Sequence, residues 1–312
     1  MNGLQIACAA EGRYLVHSAA MLHSVLAGGS ARGAVVHYLH DPALPERRRR
    51  GLAAMVEGLG ASIDFLPIPD QRLAGLPTRG FTRKATWYRI FLPELLPDVD
   101  RILYLDYDLI ALADLRPLWE TDVDDLYLAA ATNVLEPHYA DRLREAGFDP
   151  RSYFNAGVML LNLDLMRRDG CSAALRAYGV EHEGDLVLRD QDALNAVLGG
   201  RRLALHPRWN CMNAYFVFPW SVDAFGAERL AEALADPAIR HFEGPGSNKP
   251  WHYLGDREGR RAYDAHRRQT PWPRYWPAGV SPRNVGRRLE RAVGREGGFA
   301  PAPLRDRGAL NA

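Results

Sequence analysis

The sequence predicts an α/β protein built on a mostly parallel sheet flanked by helices, with a short C-terminal appendage, and three observations carry that prediction. Short apolar runs, LQIACAA, AVVHYLH and ASIDFLPI, read as buried strands. Between them lie YLVHSAAMLHSVLAG and the arginine-rich stretch from Glu46 to Leu59, whose apolar residues recur at helical spacing, so the order is that of βαβ units. Finally, 312 residues that are 47% hydrophobic and 25% charged can bury a full core, yet are few for two large domains.

Taken in order, Arg47 to Arg50 form the solvated side of the second helix. A helix is expected from Arg83 to Leu92, ended by Pro93, and then a strand within RILYLDYDLIALADLRPLW, residues 101–119. YLAAATNV and AGVMLLNL are further strands, followed by helices around Ser172 to Tyr178 and Asp190 to Leu198 and a strand from Ile239 to Phe242. After about Thr270 the chain changes character. PWPRYWP is full of proline and the rest has little core-forming pattern, which places a boundary near Pro277: a main domain over 1–277 and a basic, partly disordered tail over 278–312.

Several classes are excluded at this level. A net charge of +1 gives no global field to attract nucleic acid, so no nucleic-acid partner is expected. Cys8, Cys171 and Cys211 are widely spaced, which implies neither a disulfide framework nor structural zinc. With no signal-peptide pattern and no apolar run approaching the ~20 residues that span a bilayer, a cytoplasmic chain is expected. Of 39 basic residues only Lys84 and Lys249 are lysines, so each marks a position where arginine is a poor substitute or is simply left over from a compositional bias.

Asp106 and Asp108 raise the functional question, because two carboxylates in an apolar strand need compensation. In an extended strand they project to one side while Tyr107 points away, and open α/β sheets bind ligands beyond the carboxyl ends of their strands. A hard divalent cation, Mg²⁺ or Mn²⁺, relieves their repulsion; the bland alternative is a solvated turn. Such an ion usually keeps positions for substrate phosphates. There is neither a P-loop nor a dinucleotide fingerprint, but IRHFEGPGSNKPWH carries His241, the glycines Gly244 and Gly246, and Lys249. His241 is either an ordinary core or surface histidine or a nitrogen ligand that favours Mn²⁺; the glycine loop is one that an anion can approach closely.

These motifs, together with CAAEGRYLVHSAAMLHSV, TRKATWYRIFLPELLPDVDRILYLDYDLI, LRPLW, YFNAGVMLLNLDLMR, RDQDALN and RWN, resemble in order and content the retaining glycosyltransferases of family 8, from about Leu4 to Trp251. The resemblance implies a GT-A fold, a Rossmann-like sheet that binds a UDP-sugar with Mn²⁺. It implies Asp106, Asp108 and His241 as metal ligands, Lys249 and Gly244 at the donor diphosphate, and Ala9, Glu11, Tyr14 and Tyr107 at the nucleotide. It also implies Arg89 and Asn155 on the donor sugar, with Asp190 and Gln191 beside the anomeric carbon. Glu11 stands where the family often has aspartate. From the residues alone, Arg89 reads equally as a surface arginine with a buried stem, and Asp190 as a helix N-cap. The implied reaction is hexosyl transfer from UDP-galactose or UDP-glucose to a hydroxyl of a glycoconjugate such as lipopolysaccharide.

For an acceptor, RWNCMNAYFVFPW offers Trp209, Tyr215, Phe216, Phe218 and Trp220 as a stacking platform or as plain core, with Asn133 and Asn213 as polar contacts. SPRNVGRRLERAVGRE places Val285, Leu289 and Val293 among Arg287, Arg288, Arg291 and Arg295, the pattern either of a basic helix lying on an anionic membrane beside a lipid-linked acceptor or of a solvated tail. Two other classes compete: a Mg²⁺-dependent phosphotransferase or phosphatase with Asp106 as nucleophile, and a nucleotide-sugar-binding protein without catalysis.

Overall fold

The computed structural model describes residues 3–78 and 84–292. Among them a seven-stranded sheet is formed by β1 (Gln5–Ala9), β2 (Val35–His40), β3 (Ser62–Pro67), β4 (Arg101–Leu105), β6 (Leu128–Thr132), β7 (Phe154–Asn162) and β8 (Arg202–Ala204). Its order is β3-β2-β1-β4-β7-β6-β8. A second sheet, of three strands, joins β5 (Leu109–Ala111), β10 (Ile239–His241) and β9 (Cys211–Met212) in that order. The three strands read from the first apolar runs are β1 to β3, all parallel to their neighbours, and β4 runs parallel to β1. β7 is antiparallel to both β4 and β6, which makes the sheet mixed.

Alternation along each strand sends side chains into two layers. Ile6 and Cys8 of β1 and Leu103 and Leu105 of β4 join one core cluster with the helix Leu15–Val25 and the buried side of Glu46–Gly58. Ala7 and Ala9, with Ile102 and Tyr104, face the other cluster, where Trp87, Tyr88 and Leu175 cover the opposite side. Being covered on both faces explains why these strands read as unbroken apolar runs. The order of connection reverses between β1 and β4, and both strands deliver their carboxyl ends to the same edge of the sheet.

Two expectations are corrected. The helix from Arg83 does not end at Pro93: within the described residues the segment is helical from Lys84 to Leu95, changing from α to 3-10 and back, and Pro93 sits in the first turn of the final piece. At that position the missing N–H is an orphan anyway, so the proline starts a turn of helix instead of ending one. Nor does one strand carry Asp106 and Asp108. The chain leaves the large sheet after Leu105 and enters the small one at Leu109, so the two aspartates lie in the turn that crosses between them.

The helix Arg257–Arg267 and the proline-rich segment after it are docked on the body. Tyr263 packs with Ala20, Ile110, Phe242 and Trp251, and a Cβ on Gly259 would lie 2.2 Å from Phe242 Cε1, so glycine is what lets this helix approach. Trp272 packs against the first core cluster. Ala278 pairs with the backbone of Trp251 and Tyr253. The helix Pro282–Ala292 follows; Val285 and Leu289 are exposed, while Arg288 donates to Tyr253 O at 2.8 Å and lies over the Tyr253 ring. Val293 and Arg295 lie outside the described residues.

Candidate active site

The turn from Asp106 to Asp108 is held at both ends by backbone. Asp106 N–H donates to Gly157 O of β7 at 2.8 Å, and Phe242 N–H donates to Asp108 O at 2.9 Å. Because β5 pairs with β10 in the register Leu109 to His241, the histidine is delivered beside Asp108, with Nε2 3.3 Å from Asp108 Oδ1. Asp106, Asp108 and His241 each offer a ligand atom within 4.8 Å of the others, the one such group of three or more among the described residues. Gly157 makes that approach possible: a Cβ there would lie 2.3 Å from His241 Cε1 and 3.0 Å from Asp106 Oδ2. Two carboxylates and one imidazole form a mixed oxygen and nitrogen set, which fits a divalent cation that accepts both.

Electrostatics around the three residues is compact. Lys249 Nζ bonds Asp108 Oδ2 and donates to Phe242 O at 2.7 Å, so the loop from Glu243 to Asn248 brings this lysine to the carboxylates. Burial works to raise the Asp108 pKa, but Lys249 and His241 outweigh it and hold the carboxyl below its usual range. Burial lowers the pKa of His241 and Asp108 more than offsets it, so the net shift is upward. Arg89 is buried, not superficial. Its guanidinium is 3.1 Å from Asp106 and 3.3 Å from Asp190, donates to Thr86 O at 3.0 Å and Ala156 O at 2.6 Å, and lies over the Tyr104 ring.

Asp190 opens the helix Asp190–Leu198, directly after Arg189, whose φ of 64° makes it the one non-glycine residue with positive φ among those described. Burial raises the Asp190 carboxyl to about 6; Asp106 adds to the rise and Arg89 opposes it. Gln191 Oε1 accepts from Ala156 N–H at 3.0 Å, and Asn195 bonds both backbone groups of Phe154, so this helix is stitched to β7 alongside Asn155. Asn155 Oδ1 accepts from Gly157 N–H at 3.0 Å and from Asn210 Nδ2 at 2.9 Å.

On the other side Ala9 ends β1, and Glu11 and Tyr14 flank and close a 3-10 turn, Gly12–Tyr14. Tyr107 points to this side and packs on Tyr14 with ring centroids 5.0 Å apart. Gly244 has φ of 88°, a conformation that favours glycine. Of the aromatic platform, Tyr215 and Phe216 are core, whereas Phe218 and Trp220 stack on each other at 4.7 Å with Trp220 exposed. Asn213 is spent internally, accepting from Arg240 Nη2 and donating to Glu243 O.

Asp192, Asn195, Asn210 and Arg240 escaped the sequence reading. Asp192 accepts from Tyr153 Oη and from the N–H groups of Val187 and Leu188, and so holds the loop before Asp190. Arg240, beside His241, bonds Cys211 O and lies over the rings of Phe216 and Phe242. Each lies inside a quoted motif, but its partners are remote in the chain, so the motif does not show what the side chain bonds.

The comparisons agree with this geometry. Residues 5–255 match the model of glycosyl transferase family 8. General stress protein A of Bacillus subtilis is 30% identical over 276 residues, 86% of this chain and 94% of the relative. Lipopolysaccharide 1,2-glucosyltransferase of Escherichia coli K12 is 26% identical, covering 71% of this chain and 65% of its own length. The solved galactosyltransferase LgtC, in complex with donor and acceptor sugar analogues, superposes with a TM-score of 0.75 at 26% identity, over 91% of this chain and 99% of that one. The fold is thus GT-A-like, and the phosphotransferase reading is not favoured. A nucleotide-sugar donor, a glycan acceptor and a metal-binding site follow from family and fold together. The chain belongs to glycosyl transferase family 8 and is a glycosyltransferase.

Proposed function

We propose that this glycosyltransferase moves a hexosyl group, galactose or glucose, from its UDP donor to a hydroxyl of a glycoconjugate of the lipopolysaccharide type, with Mn²⁺ and with retention at the anomeric carbon. The observation that carries the reading is the meeting of Asp106, Asp108 and His241 at the carboxyl edge of β1 and β4. The nitrogen ligand favours Mn²⁺ over Mg²⁺. The ion would be held by these three residues and would neutralise charge on the departing diphosphate. The likeness to a lipopolysaccharide glucosyltransferase supports the acceptor class.

The protein's own groups have distinct tasks in this reading. Lys249 exchanges its bond to Asp108 for the donor phosphates, assisted by backbone at Gly244. Ala9, Glu11, Tyr14 and Tyr107 border the base. Arg89 orients Asp106 and Asp190 and contacts the sugar, while Asn155 Nδ2 and Gln191 fix the sugar against Asp190. Buried and paired with Arg89, Asp190 is better suited to stabilising positive charge at the anomeric carbon than to attacking it. A same-face transfer, in which the leaving phosphate helps take the acceptor proton, follows.

UDP release from a panel of UDP-sugars, with and without Mn²⁺, tests the reading in wild type and Asp108→Ala. Metal-dependent release from one donor, lost in the variant, is expected. Release that ignores metal would refute it. The exposed Val285 and Leu289 also support peripheral membrane contact by the C-terminal helix. Unchanged sedimentation with anionic liposomes after deletion of Ser281 to Ala312 would exclude that contact.

A further inference from the structure

Asn210 closes the 3-10 turn Pro207–Asn210 and is fully buried between Asn155 and His241. Its Nδ2–H donates to Asn155 Oδ1 at 2.9 Å, and its Oδ1 lies 2.8 Å from His241 Nδ1. The direction of this chain is set by backbone. Gly157 N–H can only donate, so the Asn155 atom it meets at 3.0 Å must be the carbonyl oxygen. An oxygen at that place requires Asn210 to present its NH₂, which turns Asn210 Oδ1 towards the imidazole. An acceptor facing Nδ1 requires a proton there. Asp108 Oδ1, 3.3 Å from Nε2, is the competing acceptor; once a cation takes that carboxylate, the proton rests on Nδ1 and Nε2 is left bare towards the ion.

We propose that Asn210 is a positioning residue for the metal site: through Gly157 and Asn155 it fixes His241 as the Nδ1–H tautomer and aims Nε2 at the cation. This rests on the metal reading above and deepens it. It also links the cation to the donor sugar, because the same Asn155 that the sugar reading uses anchors the amide of Asn210. Partners behind a ligating histidine commonly contribute about 10- to 100-fold to metal affinity.

The test uses the full chain labelled with ¹⁵N-histidine, with Mg²⁺ in place of paramagnetic Mn²⁺, at a pH where the ring is neutral, with the His241 signals identified by their absence in His241→Gln. Wild type should show a protonated Nδ1 and a bare Nε2. Asn210→Ala should lose that preference and bind Mn²⁺, followed by electron paramagnetic resonance, about 10- to 100-fold more weakly. Asn210→Asp keeps an acceptor towards Nδ1 and should keep the tautomer while losing the bond to Asn155. A wild-type ring protonated on Nε2 would overturn the proposal, as would Asn210→Ala with unchanged tautomer and Mn²⁺ affinity. Loss of the tautomer in Asn210→Asp would do the same should the alanine variant not fold. A wild type that shows the stated tautomer but binds no Mn²⁺ would instead sink the metal reading on which the positioning role depends.

Discussion

Arg89 lies between Asp106 and Asp190, 3.1 Å from one and 3.3 Å from the other, with all three drawn from different elements. The guanidinium also serves two carbonyl oxygens, so it does several jobs that a point charge cannot. Removing it leaves two acids with reduced compensation. Arg89→Ala should lower unfolding free energy by roughly 3–5 kcal/mol, and Arg89→Lys by less, measured by urea denaturation. Equal stability of wild type and Arg89→Ala would show that the pairs contribute nothing.

Asp190 supplies a pH signature. Its carboxyl is raised to about 6, mainly by burial, so the folded protein binds this proton more tightly than the unfolded chain does. Stability from this group is therefore present at low pH and lost as pH rises from about 4 to about 6. In metal-free protein, Asp190→Asn should gain on wild type by roughly 2–3 kcal/mol across that interval. A difference in stability that stays flat with pH would contradict the shift.

Gly157 is predicted to tolerate no side chain. Alanine would drive a Cβ into the His241 ring, and a fully buried ring has nowhere to go without leaving Asp108. Gly157→Ala should cost about 1–3 kcal/mol of stability and abolish measurable Mn²⁺ binding. Calorimetric titration with Mn²⁺ reads this directly; wild-type affinity in the variant would mean that the metal is held elsewhere.

Lys249 competes with the cation for Asp108. Replacing it by Met should therefore strengthen Mn²⁺ binding in the absence of nucleotide and yet lower kcat/KM for the UDP-sugar by on the order of 100-fold. Weaker metal binding in Lys249→Met would argue that the lysine organises the carboxylates instead of opposing the ion.

Much of this is legible in the sequence, and the exceptions have physical causes. Strands β1, β2, β4 and β7 are buried on both faces, so their apolar runs stand out, and so does the DYD sequence that follows one of them. What failed was the conformation of that sequence. A run that passes from one sheet into another reads as one strand because both halves are buried and nothing in hydropathy marks the crossing. The helix Arg257–Arg267 was missed because its few buried positions are Gly259, Tyr263 and Arg267, hardly an apolar stripe. β8 and β9 are two or three residues long, below what alternation can reveal. In the site, Asn210 and Asp192 act by hydrogen-bond direction and through partners 55 and 39 residues away, which no local pattern encodes.

The crossing turn from Asp106 to Asp108 has a mechanical consequence. One end is bonded to the large sheet through Gly157 and the other to the small sheet through Phe242, so a cation held there would tie the two layers together like a rivet. Shear between the layers would separate Asp106 from His241 and weaken the cation's grip. Conversely, each bound ion would stiffen the two against sliding, so occupancy and rigidity of the cleft would rise and fall together.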